Sequence, residues 1–83
     1  MSKQQKLIDR LRRRPRNFTF NEAEALLISL GFSRSNKGKT SGSRVKFKMG
    51  KIELELHRPH PRKELEPYQM LKLLRELERE GLI

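Results

Sequence analysis

Few residues in this sequence can do acid–base chemistry. His57 and His60 are its two histidines, three positions apart in the run His57-Arg58-Pro59-His60-Pro61. An imidazole changes charge between about pH 5 and 8, so either one can take or give a proton at neutral pH. Glu64 and Glu66 follow closely, which raises a metal site as one alternative. Two imidazoles with prolines between them lack a third fixed ligand, and this counts against it. A passive surface histidine beside basic residues is the commoner case. The sequence has no cysteine, so disulfides, thiolate zinc sites and cysteine nucleophiles are excluded. Gly38-Lys39-Thr40 has the ending of a phosphate-binding loop. The glycine that motif needs five residues earlier is Ser33, however, and no strand-then-helix context surrounds it. The Gly/Ser-rich stretch Ser35 to Ser43, with Lys37 and Lys39, reads equally well as a simpler phosphate cradle of backbone N–H groups or as a flexible hairpin connection.

Charge is unevenly distributed. There are 20 Lys and Arg against 10 Asp and Glu, for a formal net charge of +10. No acidic residue falls between Glu24 and Glu53, whereas Arg34, Lys37, Lys39, Arg44, Lys46, Lys48 and Lys51 all do. A solvated face is the ordinary explanation of a charge run. A long one-signed stretch inside a folded domain nevertheless repels itself and destabilises the compact state, and a polyanionic partner explains why it is retained. Nucleic acid fits better than a membrane surface, because no segment reads as a basic face carrying exposed bulky aromatics.

The elements that must position these groups are constrained by length. Domains need roughly 50–200 residues, so 1–83 is expected to be a single domain. With 34% hydrophobic residues, nearly every Leu, Ile, Val and Phe must serve one small core. The lack of cysteine suits a reducing compartment. No apolar run approaches the roughly 20 residues of a membrane span, and no signal-type segment follows Met1, so a cytoplasmic location is expected.

Residues 3–14 read as a helix with Leu7, Ile8 and Leu11 as its apolar stripe, Arg12-Arg13-Arg14 at its C-terminal end, and Pro15 as its stop. Phe18 and Phe20 face inward from a connector. A second helix follows, with Thr19 or Asn21 as N-cap, Ala23, Leu26, Leu27 and Leu30 on its buried face, and Gly31 at C′. Phe32 to Asn36 is a short strand. Two longer strands alternate cleanly: Val45, Phe47 and Met49 against Arg44, Lys46 and Lys48, then Ile52, Leu54 and Leu56 against Lys51, Glu53 and Glu55. Gly50-Lys51 between them fits a two-residue type II′ turn. That turn sets Met49, Phe47 and Val45 opposite Ile52, Leu54 and Leu56. It sets Lys48 and Lys46 opposite Glu53 and Glu55 on the other face, and one step further sets Arg44 opposite His57. A Pro-rich connector leads to a last helix that starts at Pro67 and ends at Gly81, with Met70, Leu73, Leu74 and Leu77 as its buried face.

The expected fold is α+β in two layers: a three-stranded antiparallel sheet packed on helices, its basic face open. No helix offers Asn, Gln and Arg together on an exposed face as a major-groove reader would. A small helix–sheet domain with basic loops can instead straddle an A-form RNA groove by shape and phosphate contacts. Composition alone leaves DNA open.

Gly31-Phe32, the stretch Gly42-Ser43-Arg44-Val45-Lys46-Phe47, the run His57 to Pro61, Glu64-Leu65-Glu66-Pro67 and the Leu-rich last helix together resemble the HicA family. These are toxins of bacterial and archaeal toxin–antitoxin pairs. The resemblance spans roughly residues 20–83 and leaves 1–16 as an N-terminal helical extension to a 17–83 core. It implies a fold like the double-stranded RNA-binding domain and endoribonuclease activity on messenger RNA. It also implies a HicB-type antitoxin that covers the active face, with DNA contacted only indirectly through that antitoxin. The family's usual catalytic residue is a histidine directly after Gly-Ser, and here that position is Arg44. A guanidinium stays charged far above neutral pH and cannot be a general base.

The strand register suggests another division of labour. Cleavage of RNA by its own 2′-hydroxyl needs a base for that hydroxyl, a cation for the phosphorane charge and an acid for the leaving oxygen. His57 is the expected base or acid, and Arg44, across the ladder, the expected phosphate clamp; no metal or other cofactor is required. Lys37, Lys39, Ser43, Lys46, Lys48, Arg58, His60 and Arg62 are the expected RNA contacts. The alternatives are a non-catalytic RNA-binding module of the same fold and a DNA-binding accessory protein.

Overall fold

The computed structural model describes residues 3–35, 44–59 and 62–83. Its elements run α1 (Lys3–Arg13), α2 (Phe20–Leu30), β1 (Ser33–Ser35), β2 (Arg44–Met49), β3 (Ile52–His57) and α3 (Pro67–Arg79). After the extra N-terminal helix this is the α-β-β-β-α order expected for the core. The sheet is antiparallel in the order β1-β2-β3.

α1 buries Leu7, Ile8 and Leu11 against the core. It docks on α2 through Arg10, whose Nε pairs with Glu22 Oε2 at 2.8 Å, and through Gln4, whose Nε2 donates to Ser29 O at 3.1 Å. The helix stops at Arg13, and Arg14 turns left-handed at φ 49° as its N–H donates to Leu11 O at 3.0 Å. Glycine is the favoured residue at such a C-terminal position, and a side chain there costs about 1 kcal/mol.

Of the two candidate caps of α2, Thr19 is the one used. Its Oγ1 accepts the Glu22 N–H at 3.2 Å while Glu22 Oε1 accepts the Thr19 N–H at 3.1 Å, a complete capping box. Gly31, at φ 111°, closes the helix, and the Phe32 N–H returns to Leu27 O. That return bond draws Phe32 into the core, 2% exposed, so β1 begins at Ser33 rather than at Phe32.

The β2–β3 register is the expected one at all six pairs, from Met49↔Ile52 to Arg44↔His57. Gly50 sits at φ 59° while Lys51 does not take a positive φ, the signature of a type II′ turn. Val45, Phe47, Leu54 and Leu56 are buried and Arg44, Lys46 and Lys48 exposed. Arg34 breaks the pattern of an open basic face. It pairs in register with buried Phe47, which puts it on the helix side, where Nη1 reaches Glu24 at 3.2 Å.

α3 starts at Pro67 and buries Met70, Leu73, Leu74 and Leu77, with Gln69 beside them. Leu82 and Ile83 pack back on the core, helped by the Leu82 N–H donating to Leu77 O at 2.9 Å. One contact had no sequence signal. The segment around Thr19 bridges Glu64 through the Phe20 N–H to Lys63 O at 3.0 Å and the Leu65 N–H to Phe18 O at 2.8 Å. This bridge pins the connector after β3 to the start of α2.

Glu22 serves both the cap and the α1 ion pair, so the two substitutions at this junction differ in effect. Thr19→Ala is expected to cost about 1 kcal/mol, and Glu22→Ala more, because it also strands Arg10. Urea unfolding should show both as lower midpoints at unchanged slope.

Candidate functional site

A two-residue turn makes Met49 and Ile52 the first hydrogen-bonded pair of the hairpin, and bonded and non-bonded pairs then alternate outward. By that alternation Arg44↔His57, the last pair, is non-hydrogen-bonded, the kind whose Cα atoms stand about 4.5 Å apart with side chains close. The His57 N–H must then point away from β2. It does so, donating to Gln69 Oε1 of α3 at 3.0 Å. Gln69 is 6% exposed and is the buried polar side chain among the described residues. It thus ties the last residue of the edge strand to α3.

His57 is half-buried and Arg44 exposed. His57 lines a groove of about 70 Å³ between β3 and α3, shared with Glu55, Tyr68, Gln69, Lys72 and Glu76. Across the ladder it is paired with Arg44. Lys46 and Lys48 extend the Arg44 row along β2, facing Glu55 and Glu53. Among the described residues the ion pairs are Arg10–Glu22 and Arg34–Glu24. Lys46 and Lys48 therefore sit in register with carboxylates without closing on them, and remain available to another anion. A ribonucleotide laid across this end of the ladder would meet an imidazole, a forked guanidinium and two ammonium groups.

Arg58 and Arg62 gather elsewhere. Arg58 stacks over the Phe20 ring, 5.2 Å from its centroid. With Arg62 and Lys63 it lines an open groove of about 230 Å³ at the start of α2. Lys37, Lys39, Ser43 and His60 lie outside the described residues. Among the described residues no group of three or more His, Cys, Asp or Glu could hold a metal ion, and no helix is long and apolar enough to cross a membrane.

Two features escaped the sequence reading. Gln69 prolongs the apolar stripe of α3 toward its start, a polar residue at an inward position that calls for a buried partner. Tyr68 is 66% exposed and shares a groove with Arg13 and Arg14. The ring and the arginines come from different segments, α3 and the end of α1, so no single segment combines them. The signal was available in the helical phase: starting at Pro67, position 68 lies roughly opposite the 70/73/74/77 stripe.

The family model described as "HicA toxin of bacterial toxin-antitoxin" matches residues 20–78. The chain belongs to the HicA toxin family. No curated protein and no solved structure matches it. As a HicA-family chain it is a toxin of a toxin–antitoxin system, and membership implies a HicB-type antitoxin as partner. The match begins at Phe20, so α1 lies before it.

Gln69→Leu keeps the helix stripe apolar and removes the acceptor of the His57 amide. Losing a hydrogen bond worth about 1 kcal/mol should speed exchange of that amide roughly fivefold. Hydrogen exchange followed by NMR reads this directly, with the Phe47 and Leu54 amides as unaffected references.

Proposed function

We propose that this HicA-family chain is a metal-independent endoribonuclease acting on messenger RNA, with His57 as proton-transfer group and Arg44 as phosphate clamp. The observation that carries the reading is the cross-strand pairing of Arg44 with His57 at the exposed end of the β2–β3 ladder. It supplies an imidazole next to the position where the family's histidine is replaced by arginine. His57 takes the proton of a ribose 2′-hydroxyl, and the 2′ oxygen attacks the adjacent phosphorus. Arg44 holds the non-bridging oxygens as charge builds on them. The bond from phosphorus to the 5′ oxygen breaks, and the imidazolium returns the proton to that oxygen. The products are a 2′,3′-cyclic phosphate and a 5′-hydroxyl.

Around this pair, Lys46 and Lys48 hold the backbone along β2, and Arg58 and Arg62 hold it past the end of β3. Lys37, Lys39, Ser43 and His60 complete the RNA contacts. A HicB-type antitoxin silences the toxin by presenting Asp and Glu to Arg44, Lys46 and Arg58, in the place of phosphate. The chain acts in the cytoplasm, where messenger RNA is.

A general base works in the transition state, so its removal separates rate from affinity. His57→Ala is expected to slow RNA cleavage about 100-fold or more while changing RNA affinity less than about twofold. Arg44→Ala should weaken both, and His60→Ala should retain cleavage. Gel-resolved cleavage of labelled RNA, with filter-binding affinities, measures all three. If His57→Ala cleaves as fast as the parent, the assignment of His57 is wrong. If the parent binds RNA without cutting it, the chain is a binding module of the same fold.

A further inference from the structure

Among the described residues a second cationic surface lies off the sheet. Arg13 and Arg14, at the end of α1, line an open groove of about 440 Å³ with Pro67, Tyr68 and Leu71, within the size of clefts that hold small ligands, about 300–1,000 Å³. Pro67 is also a wall of the next groove, which holds Arg16 and Arg62. Arg62 in turn belongs to the groove of Arg58, Lys63 and Phe20. On its other side Tyr68 shares a groove with His57 and Lys72, and with Glu55 and Glu76. Shared walls make these four depressions one track, running from His57 past Tyr68 and the end of α1 to the connector after β3.

Three observations point to what the track holds. Arg13, Arg14, Arg16, Arg62 and Lys63 form no ion pair among the described residues, although Glu66 lines the groove of Arg16 and Arg62, and like charges gathered this way repel one another. Arg14 keeps a long cationic side chain at φ 49°, where glycine would relax the backbone. Tyr68, 66% exposed, presents a flat ring between these cations. A polyanion with planar faces answers all three: cations for its phosphates and a ring on which a base stacks, the combination used to hold single strands.

Building on the reading of the chain as an RNA-acting toxin, we infer that α1 and Tyr68 form a single-stranded RNA subsite, with a base stacked on Tyr68 and its phosphates on Arg13, Arg14 and Arg16. Arg13, Arg14 and Arg16 precede the family-matched residues and Tyr68 lies within them, so the subsite forms where this chain's extension meets the matched core. It would hold the strand that leaves the Arg44–His57 pair.

Tyr68 is the one tyrosine of a chain without tryptophan, so its fluorescence reports the subsite directly. Titrating the full chain with a labelled twelve-nucleotide single-stranded RNA (its length set at about twelve, near the longer single-strand sites of small binding folds) should quench that emission. An RNA duplex of the same sequence should quench it far less. Tyr68→Leu should weaken single-strand binding roughly fivefold or more, and Tyr68→Phe should restore it to within about twofold. Replacing Arg13, Arg14 and Arg16 together by Gln should abolish the quenching at the same RNA concentration, with circular dichroism and urea midpoint reporting an intact fold. Unchanged affinity in Tyr68→Leu and in the triple variant, while Arg44→Ala still weakens binding, would overturn this inference and leave the RNA reading standing. Quenching by an acidic partner protein but not by RNA would overturn it in favour of a protein interface. A parent protein that binds no RNA at low salt overturns both readings.

Discussion

Gly50, at φ 59°, makes the β2–β3 connection a two-residue turn, and the parity of everything beyond it follows. Side chains alternate with period two, so a slip of one residue would carry Val45, Phe47, Leu54 and Leu56 out of the core and push Arg44, Lys46, Glu53 and Glu55 into it. The hydrophobic effect on one face and desolvation of charge on the other thus enforce the same register. That register sets Arg44 and His57 side by side as the terminal pair. It also aims the His57 N–H at the sheet edge, where Gln69 accepts it. Turn, core and candidate site are one constraint seen at three places along the hairpin from Arg44 to His57.

This is why the hairpin was legible in the sequence. Strict alternation on both strands and a Gly at the first turn position specify pairing with no knowledge of the rest of the chain. The caps were nearly as legible, because Thr19 and Glu22 satisfy each other locally and Gly31 takes the one conformation that needs it. The bridge from Thr19 to Glu64 was not, since backbone bonds between two irregular connectors leave no periodicity. Nor was the fate of Arg34, which in sequence belongs to the acid-free stretch but is turned to Glu24 by its pairing with Phe47. The candidate site was legible to the extent that it follows from the ladder. Its edge along α3, with Tyr68 and Gln69, depends on how the last helix docks against β3.

The distribution of charge in space differs from its distribution along the chain. The open sheet face carries Arg44, Lys46 and Lys48 with two carboxylates opposite them, and is less one-signed than the acid-free stretch suggests. Arginines with no ion pair among the described residues collect where α1 ends beside the connector, from positions as far apart as Arg13 and Arg62. Such clusters persist in a small domain only against self-repulsion, and so contribute nothing to the stability of the fold. The stability rests on the apolar cluster of Phe18, Phe47, Leu11, Leu26, Leu27, Met70 and Leu77.

The central claim is that the Arg44–His57 pair cuts RNA through the substrate's own 2′-hydroxyl. End-group analysis tests it most directly: the purified chain is incubated with a labelled RNA in excess chelator, beside the same RNA carrying 2′-deoxyribose at the cleaved position. The account predicts products ending in 2′,3′-cyclic phosphate and 5′-hydroxyl from the first RNA and an uncut second RNA. Products with 3′-hydroxyl and 5′-phosphate ends, or equal cleavage of the deoxy-substituted strand, would contradict it.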